Sequence, residues 1–218
     1  MVEKNRGEPR PSSRPRSDRR FVGDLPWSAR HLDHGILQVA VAVGTPARNR
    51  FEIDLGLFDH LSLGATFHWL LSEKRPRFAP QASIAFVRGR AAEFGMTYRQ
   101  TLHPRANKPG AESSFEPRTH WLMGALTVGR GLLSSGFDAG VASRRVRPSD
   151  DPSLSANVYV PRVEVAGGLH ARVGTRRIGL GFEAALVGIE DPDIVVEAVL
   201  DLRFGLFERR PSGGWRIW

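Results

Sequence analysis

Apolar and polar residues alternate along most of the chain after residue 35, and the period is two. Phe51, Ile53, Leu55 and Leu57 are separated by Glu52, Asp54 and Gly56. After Phe58-Asp59-His60, the residues Leu61, Leu63, Ala65, Phe67 and Trp69 take up the apolar positions again, opposite Ser62, Gly64, Thr66 and His68. A two-residue period puts successive side chains on opposite faces of an extended strand, so residues 51–69 predict a β-hairpin with one apolar and one polar face. The pattern recurs in Leu37–Val43, Phe78–Phe86, Phe94–Tyr98, Phe137–Val141, Val163–Val173, Ile178–Leu186 and Ile194–Leu206. Trp121–Val128 is apolar on both faces, and its orientation stays open. This predicts about ten strands, most of them roughly nine to thirteen residues long, beyond the usual length in soluble sheets. Tight connections are expected at Phe58-Asp59-His60, Arg88-Gly89-Arg90, Arg130-Gly131, Gly174-Thr175-Arg176 and Glu190-Asp191-Pro192. Long polar ones are expected at 71–77, 102–119 and 146–157. No capping signal precedes a run of helical period. The fold class is all-β, an antiparallel up-and-down barrel.

Composition narrows the picture. The chain has 218 residues, 41% of them hydrophobic, enough for one domain. It has no cysteine, which removes disulfide scaffolds, thiol catalysis and cysteine-based zinc sites. The net charge of +8 is uneven. Residues 1–34 form a basic arm rich in proline and serine, with Arg14, Arg16, Arg19 and Arg20 at its centre, and such a composition reads as a disordered tail, not as a specific nucleic-acid reader. Three regions follow: a disordered arm over 1–34, a barrel over 35–207, and a tail or last strand over 208–218. No run reaches the roughly 18 apolar residues of a membrane-crossing helix; the longest candidate, Ile36–Val43, is a strand.

In this setting residues 51–70, FEIDLGLFDHLSLGATFHWL, resemble the hairpins of bacterial outer-membrane β-barrel proteins. The resemblance is one of pattern and covers roughly residues 35–207. The chain ends on Trp218, similar to the terminal aromatic of that superfamily's assembly signal, although Arg216 stands where an apolar residue is usual and Phe207 is an alternative end to the last strand. The resemblance implies a transmembrane barrel of the Gram-negative cell outer membrane. Outer-membrane lipids and the barrel assembly machinery are its implied partners, small solutes a further one, and no specific nucleic acid is among them. An export signal is expected with it. Met1–Arg30 has the charges of one without the apolar run, and Asp18-Arg19-Arg20-Phe21 only faintly resembles a twin-arginine signal, so a misassigned or processed start is expected.

In a membrane barrel the apolar face meets lipid and the polar face fills the lumen. The expected lipid-facing set is Phe51, Ile53, Leu55, Leu57, Leu61, Leu63, Phe67, Leu180, Phe182, Leu200, Leu202 and Phe204. The expected lumen network is Glu52, Asp54, His68, Glu93, Arg99, Arg162, Glu164, His170, Glu183, Glu197, Asp201 and Arg203. Phe51, Phe58, Trp69, Phe78, Tyr98, Trp121, Phe204 and Phe207 are expected in an interfacial aromatic girdle. A barrel this narrow is largely plugged by side chains, so a non-enzymatic anchor, a slim channel or a structural element is expected before an open pore. In a soluble carrier the faces would invert, and Leu55, Leu63 and Leu180 would line a cavity for an apolar ligand.

The candidate chemistry is weak. Glu52 and Asp54 share a strand face, but salt-bridge duty explains them more simply than acid–base catalysis. His68 and His170 would serve an outer-membrane enzyme acting on lipid or peptide, yet no triad assembles from spacing, and Ser62 or Ser135 lacks an identifiable base. His31 and His34 give no metal-ligand pattern of weight. No cofactor, metal or catalytic residue is assigned.

Overall fold

A computed structural model describes residues 30–45, 48–58, 60–70, 77–88, 91–102, 118–146, 160–189 and 192–206. Most of the basic arm and the tail after residue 206, including Phe207, Arg216 and Trp218, lie outside the described residues.

The described residues form ten strands: β1 Ile36–Thr45, β2 Arg48–Phe58, β3 Leu61–Leu70, β4 Arg77–Arg88, β5 Ala92–Leu102, β6 Arg118–Arg130, β7 Leu133–Val146, β8 Val160–Gly174, β9 Ile178–Val187 and β10 Asp193–Gly205. Each pairs antiparallel with its neighbours, and β1 pairs with β10 from Ile36↔Gly205 to Thr45↔Val196, closing the barrel. Closure leaves no sheet edge, so the strand backbones satisfy one another without help from water. The strands run from 10 to 15 residues. At a rise of about 3.3 Å per residue and a tilt of about 40°, ten residues rise about 25 Å, the height of a bilayer's apolar band.

Ile36 and Gly205 are register partners, so the barrel begins and ends on the same rim. The facing ends of β2 and β3, β4 and β5, β6 and β7, and β8 and β9 share that rim; those of β1 and β2, β3 and β4, β5 and β6, β7 and β8, and β9 and β10 share the other. The expected tight connection at Glu190-Asp191-Pro192 lies mostly outside the described residues; by strand ends, two residues separate β1 from β2 and fifteen separate β5 from β6 at this same second rim, so the two rims are not cleanly divided by loop length. Gly131, at φ 64°, takes the left-handed conformation that the two-residue β6–β7 turn needs.

Two β-bulges interrupt the alternation. Register shifts between Gly56 and Phe58 on β2, and between Ala85 and Val87 on β4. At the second, Phe86 is the extra residue, and it and Val87 both face outward. Trp121, expected in the girdle, points inward and is buried, together with Met123, Ala125 and Thr127; Leu122 and Val128 face out. Both faces of β6 are apolar because the lumen here holds a small apolar cluster of Trp121, Met123, Ala142, Ala166, Ala185 and Val187.

The ordered unit starts earlier than residue 35. Arg30–His34, assigned to the disordered arm by composition, run from the lumen to the start of β1. Gly35, at φ 75°, turns the chain into the strand. Pairing interior charges, unseen in local composition, order this stretch.

Candidate functional site: the charged interior

The distribution of side chains is inverted relative to a soluble protein. Leu180 is 60% exposed, Leu63 45%, Leu169 62% and Val165 61%. Phe51, Ile53, Phe182, Leu200, Leu202 and Phe204 are exposed as well. Leu55, Leu57, Leu61 and Phe67 are partly covered by neighbours on the same outer face. Outer aromatics form cross-strand rows: Phe51, Phe67 and Phe78 at centroid spacings of 6.3 and 5.6 Å, Phe86 and Phe94 at 6.0 Å. Phe58 is exposed at the rim where the chain enters. The side chain of Trp69 lies outside the described residues. With Leu55, Leu63 and Leu180 on the outer wall, the inverted carrier arrangement fails: these leucines gather around no cavity.

The inner wall holds Glu52, Asp54, His68, Glu93, Arg99, Arg162, Glu164, His170, Glu183, Glu197, Asp201 and Arg203, joined by Arg50, Arg88, Asp138, Arg144, Arg172 and Asp193. Arg50 on β2 reaches Glu52 at 2.8 Å, Glu197 on β10 at 2.6 Å and Glu183 on β9 at 3.4 Å. Arg99 on β5 bonds Glu183 at 2.9 Å and lies 5.7 Å over the Trp121 ring. Arg172 on β8 holds both oxygens of Asp201 on β10, each at 2.7 Å, the forked geometry in which guanidinium matches carboxylate. Arg203 donates to Gln38 at 2.9 Å and lies 3.3 Å from Asp201. Arg144 on β7 joins Glu164 on β8 and Asp193 on β10. Arg162 reaches Glu164 at 3.3 Å from the half-exposed mouth, and Arg88 lies 3.6 Å from the buried Glu93. Asp54 accepts from Gln81 at 2.6 and 2.7 Å, and His68 contacts the Gln100 carbonyl at 3.4 Å. Gln81, which the alternation puts on the polar face, and Gln38, which it does not single out, carry no charge yet join the bonding.

Glycine makes this density possible. A Cβ on Gly136 would stand 2.5 Å from the His170 ring, and one on Gly179 would stand 2.3 Å from the Arg172 guanidinium. Both glycines face inward beside a large polar group of the adjacent strand. Their role is close approach, not a turn.

The N-terminal segment fills the remaining centre. Arg30 bridges Asp138 on β7 at 2.5 Å and Glu183 on β9 at 2.6 Å. The Leu32 amide donates to Ser62 Oγ at 3.0 Å, and Asp33 pairs with Arg88 at 2.7 Å. His31 is buried; desolvation first, then Arg88 and Arg30, push its pKa down to about 3 against the pull of Asp138. Its ring is therefore neutral at pH 7. A cavity of about 110 Å³ remains, lined by Arg30, Gln38, Asp54, Arg99 and Asp138 among others.

One constellation looks catalytic. Thr127, His170 and Asp138 form a chain: Thr127 Oγ1 lies 2.8 Å from His170 Nε2, and His170 Nδ1 lies 3.3 Å from Asp138 Oδ2. Only cross-strand register brings the three together, so spacing along the chain could not reveal them. Thr127 is 1% exposed, and Asp138 is also held by Arg30. Strand amides are consumed by the ladder, leaving no backbone donor for an oxyanion. The arrangement satisfies buried polar groups and offers a substrate carbonyl no approach. His31 and His34 join no group of metal-ligating residues among the described residues.

No family model matches the chain, and no curated protein matches it. Among solved structures it is similar to the N-terminal β-barrel domain of Pseudomonas aeruginosa OprF: TM-score 0.38, 8% identity, 79% of this chain against 100% of that one. It is also similar to the NanC porin, at TM-score 0.41 and 11% identity over 76% of this chain and 98% of that one. A de novo designed transmembrane β-barrel matches at TM-score 0.32 and 9% identity over 80% and 99%.

Proposed function

We propose that the chain is an integral, non-enzymatic β-barrel of a bacterial outer membrane, an anchor, slim channel or structural element whose lumen is lined by paired charges. The observation that carries this reading is the inversion of polarity across one closed sheet. Large apolar side chains cover the outer wall of nearly every strand while arginines and carboxylates are buried inside. In water such a wall would be an aggregating surface; against hydrocarbon it is the favoured one, and the charges then need one another. The lipid-facing set is Phe51, Ile53, Leu55, Leu57, Leu61, Leu63, Phe67, Leu180, Phe182, Leu200, Leu202 and Phe204. Outer-membrane lipids are its immediate partners, and the barrel assembly machinery its route of insertion.

The test is refolding into phospholipid vesicles. The folded barrel floats with the vesicles on a density gradient, and it migrates differently on a gel before and after boiling. A monomer that stays soluble without detergent and shows no mobility shift refutes the proposal.

A further inference from the structure

We propose that Arg30–His34 is a detachable plug hinged at Gly35, latched in the lumen by a guanidinium site that Asp138 and Glu183 form in the wall. The inference rests on the membrane reading above and adds a resident ligand and a closed state to it.

Three observations carry it. First, the segment belongs to no strand, and the β1–β10 ladder closes without it. Its main-chain to main-chain bonds to the wall are made at Gly35, whose amide donates to the Gly56 carbonyl at 2.8 Å and whose carbonyl accepts from the Leu206 amide at 2.7 Å, so Gly35 stays as the hinge and withdrawal of the residues before it breaks no ladder pair. Second, the wall is shaped for it. A Cβ on Gly56 would stand 2.0 Å from the Asp33 carbonyl oxygen, 2.8 Å from its carbon and 3.1 Å from Leu32 Cβ, so the three nearest atoms all belong to the segment. Third, its deepest residue is held by charge. Arg30 sits between two carboxylates of β7 and β9, at 2.5 and 2.6 Å. Beyond Arg30, Asp138 meets His170 at 3.3 Å and Glu183 meets Arg99 at 2.9 Å, so neither carboxylate is abandoned when the arginine leaves. Such a latch is favourable when made and breakable, because a buried pair returns much of its Coulomb energy as desolvation. The chemistry that fits the vacated site is a planar guanidinium, or a primary ammonium as a weaker substitute.

The experiment uses the full chain in planar lipid bilayers, with the heat-modifiable band read on the same samples. Arg30→Ala removes the latch; Gly56→Ala pushes on the segment from the wall and leaves every latch residue in place. Wild-type protein is expected to stay mostly closed, and each variant to raise the open fraction about tenfold or more, the scale of losing charge-assisted hydrogen bonds. In Arg30→Ala, guanidinium chloride in millimolar amounts is expected to close the conductance where sodium chloride does not, and Arg30→Ala/Asp138→Asn is expected to lose that response. Barrels that insert yet remain as silent as wild type in both variants overturn the plug. Open variants that guanidinium affects no more than sodium overturn the site. Failure of every variant and of wild type to insert overturns the membrane reading and the plug with it.

Discussion

Leu200 gives the sharpest test of which solvent the outer wall meets. It stands near the middle of β10, between Val41 of β1 and Leu180 of β9, and all three are exposed. Ile194 lies six residues toward one rim and Phe204 four toward the other, both on the same face. At about 3.3 Å per residue and a tilt of about 40°, Ile194 stands about 15 Å and Phe204 about 10 Å from the level of Leu200. An arginine at the centre of a lipid-facing band costs about 2–4 kcal/mol, falling to about 0–1 kcal/mol near the interfaces. The same change on a water-facing wall stays within about 0.5 kcal/mol. Leu200→Arg is therefore expected to lose about 2–4 kcal/mol, and Ile194→Arg and Phe204→Arg about 1 kcal/mol or less. Equilibrium guanidinium unfolding in phospholipid vesicles, followed by tryptophan fluorescence, reads the three values. A flat series with all three near zero refutes the bilayer as the solvent of this face. A flat series with all three large would mean that the band is taller than the strand geometry allows.

Three further outcomes follow from the interior. Arg50→Leu strands Glu52 and Glu197 together and is expected to cost about 3–5 kcal/mol in the same unfolding assay; a loss below 1 kcal/mol would mean that water reaches those carboxylates. Arg172→Leu and Asp201→Leu are each expected to cost about 3–5 kcal/mol, with the double variant recovering most of the loss; additive losses would refute the pairing. The buried His31 ring, with a pKa lowered to about 3, resists protonation, whereas a released His31 takes up a proton near its ordinary value of 6.5. Falling pH therefore favours release of the segment: the neutral ring's contribution is fully present above 6.5 and is lost progressively toward 3. Arg30, Arg88 and His170 face that ring and oppose its charge, and Asp138 favours it. Conductance is expected to rise from pH 7 to pH 5 in wild type, and His31→Leu to flatten the rise; an unchanged slope in that variant would refute the assignment.

Much of the fold was legible because a strand's period is short and local. Phe51–Trp69 shows both arms of a hairpin in nineteen residues of sequence, and no tertiary contact is needed to read them. Trp121 was misplaced for the converse reason. Where both faces are apolar, alternation carries no sign, and only the Thr101 hydroxyl that accepts from the indole at 2.8 Å reveals which face is inside. The bulge at Phe86 shifts the phase by one residue, which a periodic reading cannot anticipate. Arg30 was hidden more deeply still. Its partners lie 108 and 153 residues away, and its own neighbourhood has the composition of a tail. The hinge at Gly35 and the small Gly56 opposite Asp33 are its local traces, and neither is distinctive alone.

The arrangement of charge on β10 explains why the interior is ionic instead of merely polar. Asp193, Glu197 and Asp201 stand on its inner face four residues apart, and each meets a different arginine: Arg144 of β7, Arg50 of β2 and Arg172 of β8. β10 is the strand that closes the barrel, and its outer face is uniformly apolar, so lipid contact alone would tolerate a slip of β10 by two residues past both β1 and β9. Such a slip preserves the inside–outside parity of every side chain. It would also carry all three carboxylates about 7 Å from their guanidinium partners, leaving buried charges uncompensated at three levels at once. On the proposed membrane reading, hydrophobic matching to the bilayer chooses the face, and the three ion pairs choose the register. The recovery expected when Arg172 and Asp201 are replaced together follows from the same logic: the pair adds little net stability, and its contribution lies in making the misregistered closure costly.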